Sequence, residues 1–307
     1  MSFWDGKRVL VTGGAGLMGR PLRRSLAALG AAVRDYDIVD GQDILDLGDL
    51  QNAVAGVDAV IHLAAMSNVE VCRKAGYAAY QNIVVGTLNV LEACRAYNPQ
   101  MPVVVASSNH VYGEQKTLPV SENAPLNQLD TYSAAKIAAD YLARSYAHNY
   151  GVNVVIMRST NCFGPNDPHS GHIVPSTITA VLNGKAPVIK SNGFTKKSYL
   201  YVDDVIDAYI AAAEWVGSGP YRQGTVFNVS DTPVSVLDLV HTILKVMGAT
   251  VKPEVLGIPN DQHDEDLNDS FIRKATGWKP KHTLQEAIAL TVAGFKERHG
   301  SLSHSTR

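Results

Sequence analysis

The stretch Thr12-Gly13-Gly14-Ala15-Gly16-Leu17-Met18-Gly19 constrains this chain more than any other feature. It separates an apolar run at 7–12 (KRVLVT) from a helical pattern at 20–29 that Gly30 closes. Its glycines satisfy both G-x-x-G-x-x-G (13, 16, 19) and G-x-G-x-x-G (14, 16, 19). Such a turn is tight, and small residues let a pyrophosphate approach the backbone where the following helix offers free N–H groups. A turn that needed only backbone freedom would also use glycine. The strand–turn–helix context favours dinucleotide binding. Gly13, Gly16, Leu17, Met18 and Gly19 are therefore cofactor-binding candidates.

Asp37 closes the next apolar run, 32–37, and stands 18 residues beyond Gly19. A carboxylate there accepts from both adenosine ribose hydroxyls and repels a 2′-phosphate, so the expected cofactor is NAD rather than NADP. Asp35, on the same side of an extended strand, and Asp40, in the loop beyond, are the alternatives. Arg34 has no basic pocket around it to reverse that preference.

The remaining first half alternates in the same way. Helical patterns at 47–54, 77–96 and 133–149 separate buried runs at 59–63 (AVIHL), 102–106 (PVVVA) and 153–157 (NVVIM). Continuous apolar strands alternating with helices imply an α/β fold: a Rossmann-like, doubly wound parallel sheet with a smaller C-terminal substrate-binding lobe. Residues 1–165 form the expected NAD-binding domain, with 201–230 returning to it; 166–200 and 231–300 form the lobe. Within these, helices are expected at 173–183, 205–215 and 236–247, and strands at 187–189 and 225–228. The tail at 301–307 (SLSHSTR) is polar and expected to fray.

With 307 residues and 46% apolar content the chain can bury a large core. A net charge of −2 without a basic run speaks against nucleic acid or an anionic membrane as the main partner. No segment reaches the roughly 18 apolar residues of a membrane span, and the first residues lack the apolar core of a signal peptide. Cys72, Cys94 and Cys162 are too few and too scattered for a disulfide framework, and no ligand spacing suggests a metal. Buried thiols and a cytoplasmic setting are expected.

Tyr132 and Lys136 are one helical turn apart at the head of the pattern 133–149. Positions i and i+4 share a face, so the ammonium can approach the phenol and lower its pKa from the ordinary value of about 10. That would make a base able to take a hydroxyl proton. A second pair with this spacing, Tyr112 and Lys116, runs into Gly113 and a polar loop, so spacing alone decides little and helical context selects Tyr132 and Lys136. Ser107 and Ser108 follow the run 102–106, at the carboxyl end of a strand, where a ligand crevice lies in a parallel sheet. Ser108 can hold the reacting oxygen beside Tyr132; a strand-end cap is the plainer alternative.

Together these residues resemble the extended short-chain dehydrogenase/reductases, in particular the nucleotide-sugar epimerase/dehydratase family. Beyond TGGAGLMG, the resemblance rests on Asp43-Ile44-Leu45-Asp46, on His62-Leu63-Ala64-Ala65, and on the Asn82-to-Thr87 segment (NIVVGT). It continues through SSNHVYG at 107–113, RSTNCFGP at 158–165, YVDD at 201–204 and GWKP at 277–280. It implies cofactor contacts at Asp43, Ile44, Leu63, Ala64, Ala65, Asn82, Ser107, Tyr132 and Lys136, and substrate contacts at Ser108, Asn161, Val174 and Lys197. The stretches 142–154, 187–209 and 227–240 look closest to the CDP-glucose 4,6-dehydratase branch.

That branch carries Asp-Lys directly after the catalytic Ser or Thr, and other sugar dehydratases carry Asp-Glu; this chain carries Asn109 and His110. Dehydration needs an acid for the departing 6-hydroxyl and a base for the C5 proton. An amide cannot be that acid, whereas His110 can titrate near neutrality. Lys197 stands where the family usually places a pyrophosphate-gripping arginine, and it keeps the charge without the fork. The run 261–269 (DQHDEDLND) is acidic where the family often contacts the nucleotide.

The first expectation is therefore NAD-dependent epimerisation of a nucleotide-sugar through a 4-keto intermediate. The alternatives are a 4,6-dehydratase using His110, a sugar dehydrogenase or ketoreductase, and a non-catalytic NAD-binding regulator. The helices at 77–96 and 133–149 have apolar stripes wider than one sheet face needs. Core packing could absorb them; in resembling enzymes they form a four-helix interface, so a homodimer is expected.

Overall fold

The computed structural model describes residues 2–165, 167–219, 224–259 and 263–304, with side chains described as far as residue 299. The first half builds β1 (Arg8–Thr12), α1 (Gly19–Ala28), β2 (Ala32–Tyr36), α2 (Leu47–Val54), β3 (Ala59–His62), α3 (Val69–Lys74), α4 (Gly76–Tyr80), α5 (Gly86–Tyr97), β4 (Val103–Ala106), α6 (Thr131–Tyr150) and β5 (Val154–Ser159). The second half adds β6 (Asn161–Phe163), α7 (Ile173–Leu182), β7 (Val188–Ile189), β8 (Lys196–Lys197), β9 (Tyr199–Tyr201), α8 (Val202–Gly217), β10 (Thr225–Val229), β11 (Val234–Ser235), α9 (Val236–Met247), β12 (Glu254–Val255), α10 (Ser270–Thr276) and α11 (Leu284–His304).

Six strands form one parallel sheet in the order β10-β5-β4-β3-β1-β2. The two-residue period of a strand divides the core between its faces. Val9, Val11, Val155 and Met157 pack toward Leu22, Leu26, Val205 and Ala213 of α1 and α8. Leu10, Val154 and Ile156 pack toward Leu50, Val54, Leu91 and Ala147 of α2, α5 and α6. Because both faces are covered, β3 and β5 are buried along their whole length and show no polar alternation. Strand order reverses between β1 and β3, and the carboxyl ends of those strands open onto a crevice.

Beyond β5 the small pairs β6/β9 and β7/β12 are parallel and β8/β11 is antiparallel, with α7, α9 and α11 packed among them. β10, built from residues after the lobe's first part, pairs with β5 of the main sheet.

The structure refines the expected elements at three places. The helix expected at 77–96 is α4, a π-turn at Gln81–Val85, and α5, running from Gly76 to Tyr97. Gly86 allows the departure, since a Cβ there would collide with the Ile44 side chain. α3, α10 and α11 were not expected, because their apolar positions are too few to give a clean period. α11 also extends to His304, into the stretch expected to be a polar tail. Residues 305–307 of the expected tail, and Asp261 and Gln262 of the acidic run, lie outside the described residues.

Candidate active site

β1 delivers the chain into the glycine turn. Gly13 has φ of 75° and donates its N–H to the Tyr36 carbonyl at 2.9 Å. A side chain there would enter left-handed backbone space, and its Cβ would stand 2.7 Å from the Ala64 nitrogen. Gly19 opens α1, and a Cβ on it would overlap the Gly13 carbonyl. Gly16 donates to that same carbonyl at 3.2 Å. No side chain caps α1, whose entry residue is Met18, while Leu17 packs against the core. At its glycines the turn thus presents bare backbone, as a pyrophosphate requires, while Leu17 and Met18 pack against the core.

Asp37 closes this cradle. Its Oδ2 accepts from the Ala15 N–H at 2.9 Å and its Oδ1 from the Val39 N–H at 3.1 Å. Asp35 is committed elsewhere, to an ion pair with Arg23 of α1, and Asp40 is exposed. Of the three carboxylates, Asp37 is therefore the one aligned with the turn, which fits a ribose with free hydroxyls.

The end of β3 forms the next wall. His62 is buried, and burial holds its pKa down at about 3. Thr87 Oγ donates to the Ile83 carbonyl at 2.6 Å, so it can only accept from His62 Nε2, 3.1 Å away. His62 Nδ1 then accepts from Thr12 Oγ at 2.7 Å, and Ala64 N–H donates to that hydroxyl at 3.3 Å. These bonds lock Leu63 and Ala64 against the turn. After Ala65, Met66 N–H donates to Asn82 Oδ1 at 2.7 Å, tying the loop to the π-turn. Ile44 is buried beside Gly86, and its neighbour Asp43 accepts from the Leu45 N–H at 2.9 Å.

Four of the expected reactive side chains meet at the end of β4. Asp130 caps α6, accepting from Ser133 N–H at 3.1 Å, and so fixes Tyr132 in the first turn. Tyr132 is buried, and the Ser108 hydroxyl lies close enough to its phenol to favour ionisation. Ser108 is also the strand-end cap, accepting from His110 N–H at 3.2 Å, so both readings of it hold geometrically. The His110 ring meets the Tyr132 ring edge-on at 5.9 Å. Burial lowers the His110 pKa, so the imidazole is neutral near pH 7 and can act as a base. Ser107 faces away from this group and donates to Asp140 at 3.2 Å.

The expected effect of Lys136 is not seen. Burial pushes Tyr132 up to about 12 and Lys136 down to about 8. The ammonium shares the phenol's helix face but donates to the Ala106 carbonyl at 2.9 Å, at the end of β4. Burial dominates at both groups, and the ammonium is directed to the strand end rather than to the phenol oxygen.

On the lobe side, Asn161, Val174, Lys190, Lys197 and Tyr199 line a cavity of about 440 Å³. Asn161 donates to the Ser198 carbonyl at 3.1 Å. The Lys197 ammonium is paired with Glu265 at 2.7 Å. The other oxygen of Glu265 accepts from Asn109 Nδ2 at 2.6 Å. Tyr132 and Ser108 do not line this cavity; the Lys197–Glu265–Asn109 chain joins it to them. Glu265 was hidden within the acidic run, where no spacing distinguishes it from its neighbours. A second unforeseen group is the buried bidentate pair of Arg158 with Asp140, both bonds 2.9 Å, which anchors Ser107 and Tyr112.

Among the described residues no helix is long and apolar enough to cross a membrane, and no group of three or more His, Cys, Asp or Glu is arranged to hold a metal.

The family model for the NAD-dependent epimerase/dehydratase family matches residues 9–230. A UDP-glucose 4-epimerase of Mycolicibacterium smegmatis is 31% identical over 95% of this chain and 99% of its own. A dTDP-glucose 4,6-dehydratase of the same organism is 30% identical over 91% of this chain and 90% of its own. Among solved structures, the dTDP-glucose 4,6-dehydratase DesIV of Streptomyces venezuelae, crystallised with NAD, superposes with a TM-score of 0.83 at 26% identity, covering 96% of this chain and 98% of that one.

Proposed function

The chain belongs to the NAD-dependent epimerase/dehydratase family, and from that premise we propose that it inverts C4 of a nucleotide-sugar through a transient 4-keto sugar. One observation carries this choice: the residue after Ser108 is an amide, Asn109, bound to a carboxylate that Lys197 keeps ionised. Neither Asn109 nor an ionised Glu265 can protonate a departing 6-hydroxyl. Epimerisation needs no such acid.

When bound, NAD supplies a reversible two-electron acceptor for C4 and a positive ring charge. The protein supplies the rest. The bare glycine turn and Asp37 hold the dinucleotide. The Tyr132 oxygen takes the proton of the 4-hydroxyl, and the Ser108 hydroxyl donates to the developing carbonyl oxygen. Asn161, Val174 and Lys197 contact the nucleotide-diphosphate part. After the keto sugar turns over within the site, Tyr132 returns the proton to the opposite epimer.

A 4,6-dehydration is the second reading, favoured by the His110 ring, a neutral base edge-on to the ring of the proposed proton acceptor Tyr132. Incubation with UDP-, GDP-, CDP- and dTDP-sugars, followed by mass and by chromatography, separates the two. A new isomer of unchanged mass is expected; loss of one water would overturn epimerisation in favour of dehydration. In that event His110→Ala should stop water loss while sparing C4 oxidation. Net NADH build-up would instead mean a dehydrogenase, and no turnover without copurifying NAD would mean a binding protein. The free, mostly buried thiols fit a reducing, cytoplasmic setting.

A further inference from the structure

Ser108 has one proton and two neighbouring acceptors: the phenol oxygen of Tyr132 and Asn109 Oδ1, the latter 3.4 Å away. Which acceptor receives that proton affects how readily Tyr132 ionises. Asn109 competes for it only while its carbonyl end faces Ser108. An amide has a donor end and an acceptor end, so whatever holds one end decides what the other presents.

Glu265 holds the donor end. Its carboxylate can only accept, and it accepts from Asn109 Nδ2 at 2.6 Å and from Lys197 Nζ at 2.7 Å. The side chain is 11% exposed, and its backbone is pinned on both sides. Glu265 N–H donates to the Lys196 carbonyl at 2.9 Å, and Val120 N–H donates to the Asp266 carbonyl at 2.7 Å. Lys197, His110 and His263 all face the carboxylate, the Lys197 ammonium favouring its charge most, and Tyr199 borders it. Cys72, Asp130 and the His110 ring surround Tyr132.

We infer that Glu265, a lobe residue, is a positioning residue for proton transfer: by fixing the Asn109 amide it presents Asn109 Oδ1 to Ser108 and so competes with Tyr132 for the Ser108 proton. Lys197 belongs to the same chain and lines the lobe cavity, so the state of that cavity is linked to the acidity of the phenol. The inference rests on Tyr132 as proton acceptor, but its test needs no sugar.

Glu265→Gln is close to isosteric and makes a directional change. The glutamine must turn its oxygen to the Lys197 ammonium, and its NH₂ then faces Asn109. Asn109 flips, offers its own NH₂ to Ser108, and frees the Ser108 proton for the phenolate. Phenolate absorbance of the NAD-loaded protein is titrated and corrected by subtracting the Tyr132→Phe variant. Glu265→Gln should move the Tyr132 titration down by about one pH unit. In an Asn109→Leu background the same substitution should move it by less than a third as much. An equal shift in both backgrounds would mean that loss of the charge, not the amide, is responsible, and would overturn the inference. So would no shift in either.

Glu265→Asp gives a second route if the glutamine variant does not fold. It keeps the charge on Lys197 but withdraws the carboxylate from Asn109, so a downward shift is expected, and an unchanged titration counts against the inference. If the sugar panel shows no turnover while these shifts appear, the functional reading fails and the positioning role stands. Where turnover is present, the low-pH limb of kcat should shift with the phenolate, while KM changes by less than threefold.

Discussion

At the residue scale the site is held under tension between charge and burial. Tyr132→Phe removes the only group proposed to carry the 4-hydroxyl proton, so kcat should fall by roughly 10²–10⁴. NAD should still copurify, because the glycine turn and Asp37 are untouched; loss of NAD as well would mean that the ring is structural. Lys136 makes a complementary case. Burial lowers its pKa from 10.5 to about 8, which corresponds to roughly 3 kcal/mol of destabilisation while both folded and unfolded states are protonated. Lys136→Met should abolish turnover and yet stabilise the NAD-free protein by about 2 kcal/mol at pH 7, the lost donor to Ala106 offsetting about 1. The sign follows from linkage. Below about pH 8 the penalty is full; between 8 and 10.5 the unfolded chain binds more protons, so the wild type gains stability as pH rises and the variant's advantage shrinks. Urea unfolding at pH 7 and pH 10 checks this, and a less stable variant at pH 7 would refute it. Tyr132, Lys136 and Ser108 were legible because helix period and strand-end position are local properties. Glu265 was not, because its partner Asn109 lies 156 residues away and only the fold brings them together.

At the element scale, most of the sheet was legible for a simple reason. Strands buried on both faces must be continuously apolar, and runs such as 59–63 and 102–106 announce themselves. What escaped were elements whose stability is borrowed. α3 and α10 have 6 and 7 residues, too short to show a period, and α11 buries only an interrupted stripe. The π-turn at Gln81–Val85 has no sequence period of its own; it comes from how closely Gly86 approaches Ile44. The turn between β1 and α1 is different, since its geometry forces its composition. Gly13→Ala demands φ of 75° from an alanine and drives a Cβ into the Ala64 backbone. Gly13 and Ala64 lie just beyond the paired strands β1 and β3, so relief must come from distorting the turn. The variant should lose roughly 2–4 kcal/mol of stability and most of its bound NAD, measured by chemical unfolding and by cofactor content. Stability and NAD content within error of wild type would show that the turn is more pliable than this packing allows.

At the scale of the whole molecule, one surface remains to be accounted for. Tyr77, Tyr80 and Val85 on α4 and the π-turn are 79%, 43% and 41% exposed, and Tyr141 on the adjoining α6 is 53% exposed. Positions 134, 138, 141 and 145 of α6 follow one another at helical spacing and are Ala, Ala, Tyr and Ser, a stripe on which a second helix can lie close. Helices α4, α5 and α6 pack side by side, so the apolar residues belong to one two-helix layer rather than to scattered positions. A two-fold axis through such a layer would bring two helices from each copy into a four-helix bundle. We therefore expect a homodimer in solution, with the stripe of α6 at its centre. Tyr141→Asp places a charge in that interface twice, once from each copy, and has no buried role within its own subunit to lose. It should convert the dimer to monomers in sedimentation equilibrium at micromolar concentration while the unfolding midpoint of the isolated fold changes little. A wild-type chain that sediments as a monomer, or a Tyr141→Asp dimer as tight as the wild type, would leave this layer as surface and assign any assembly to another face.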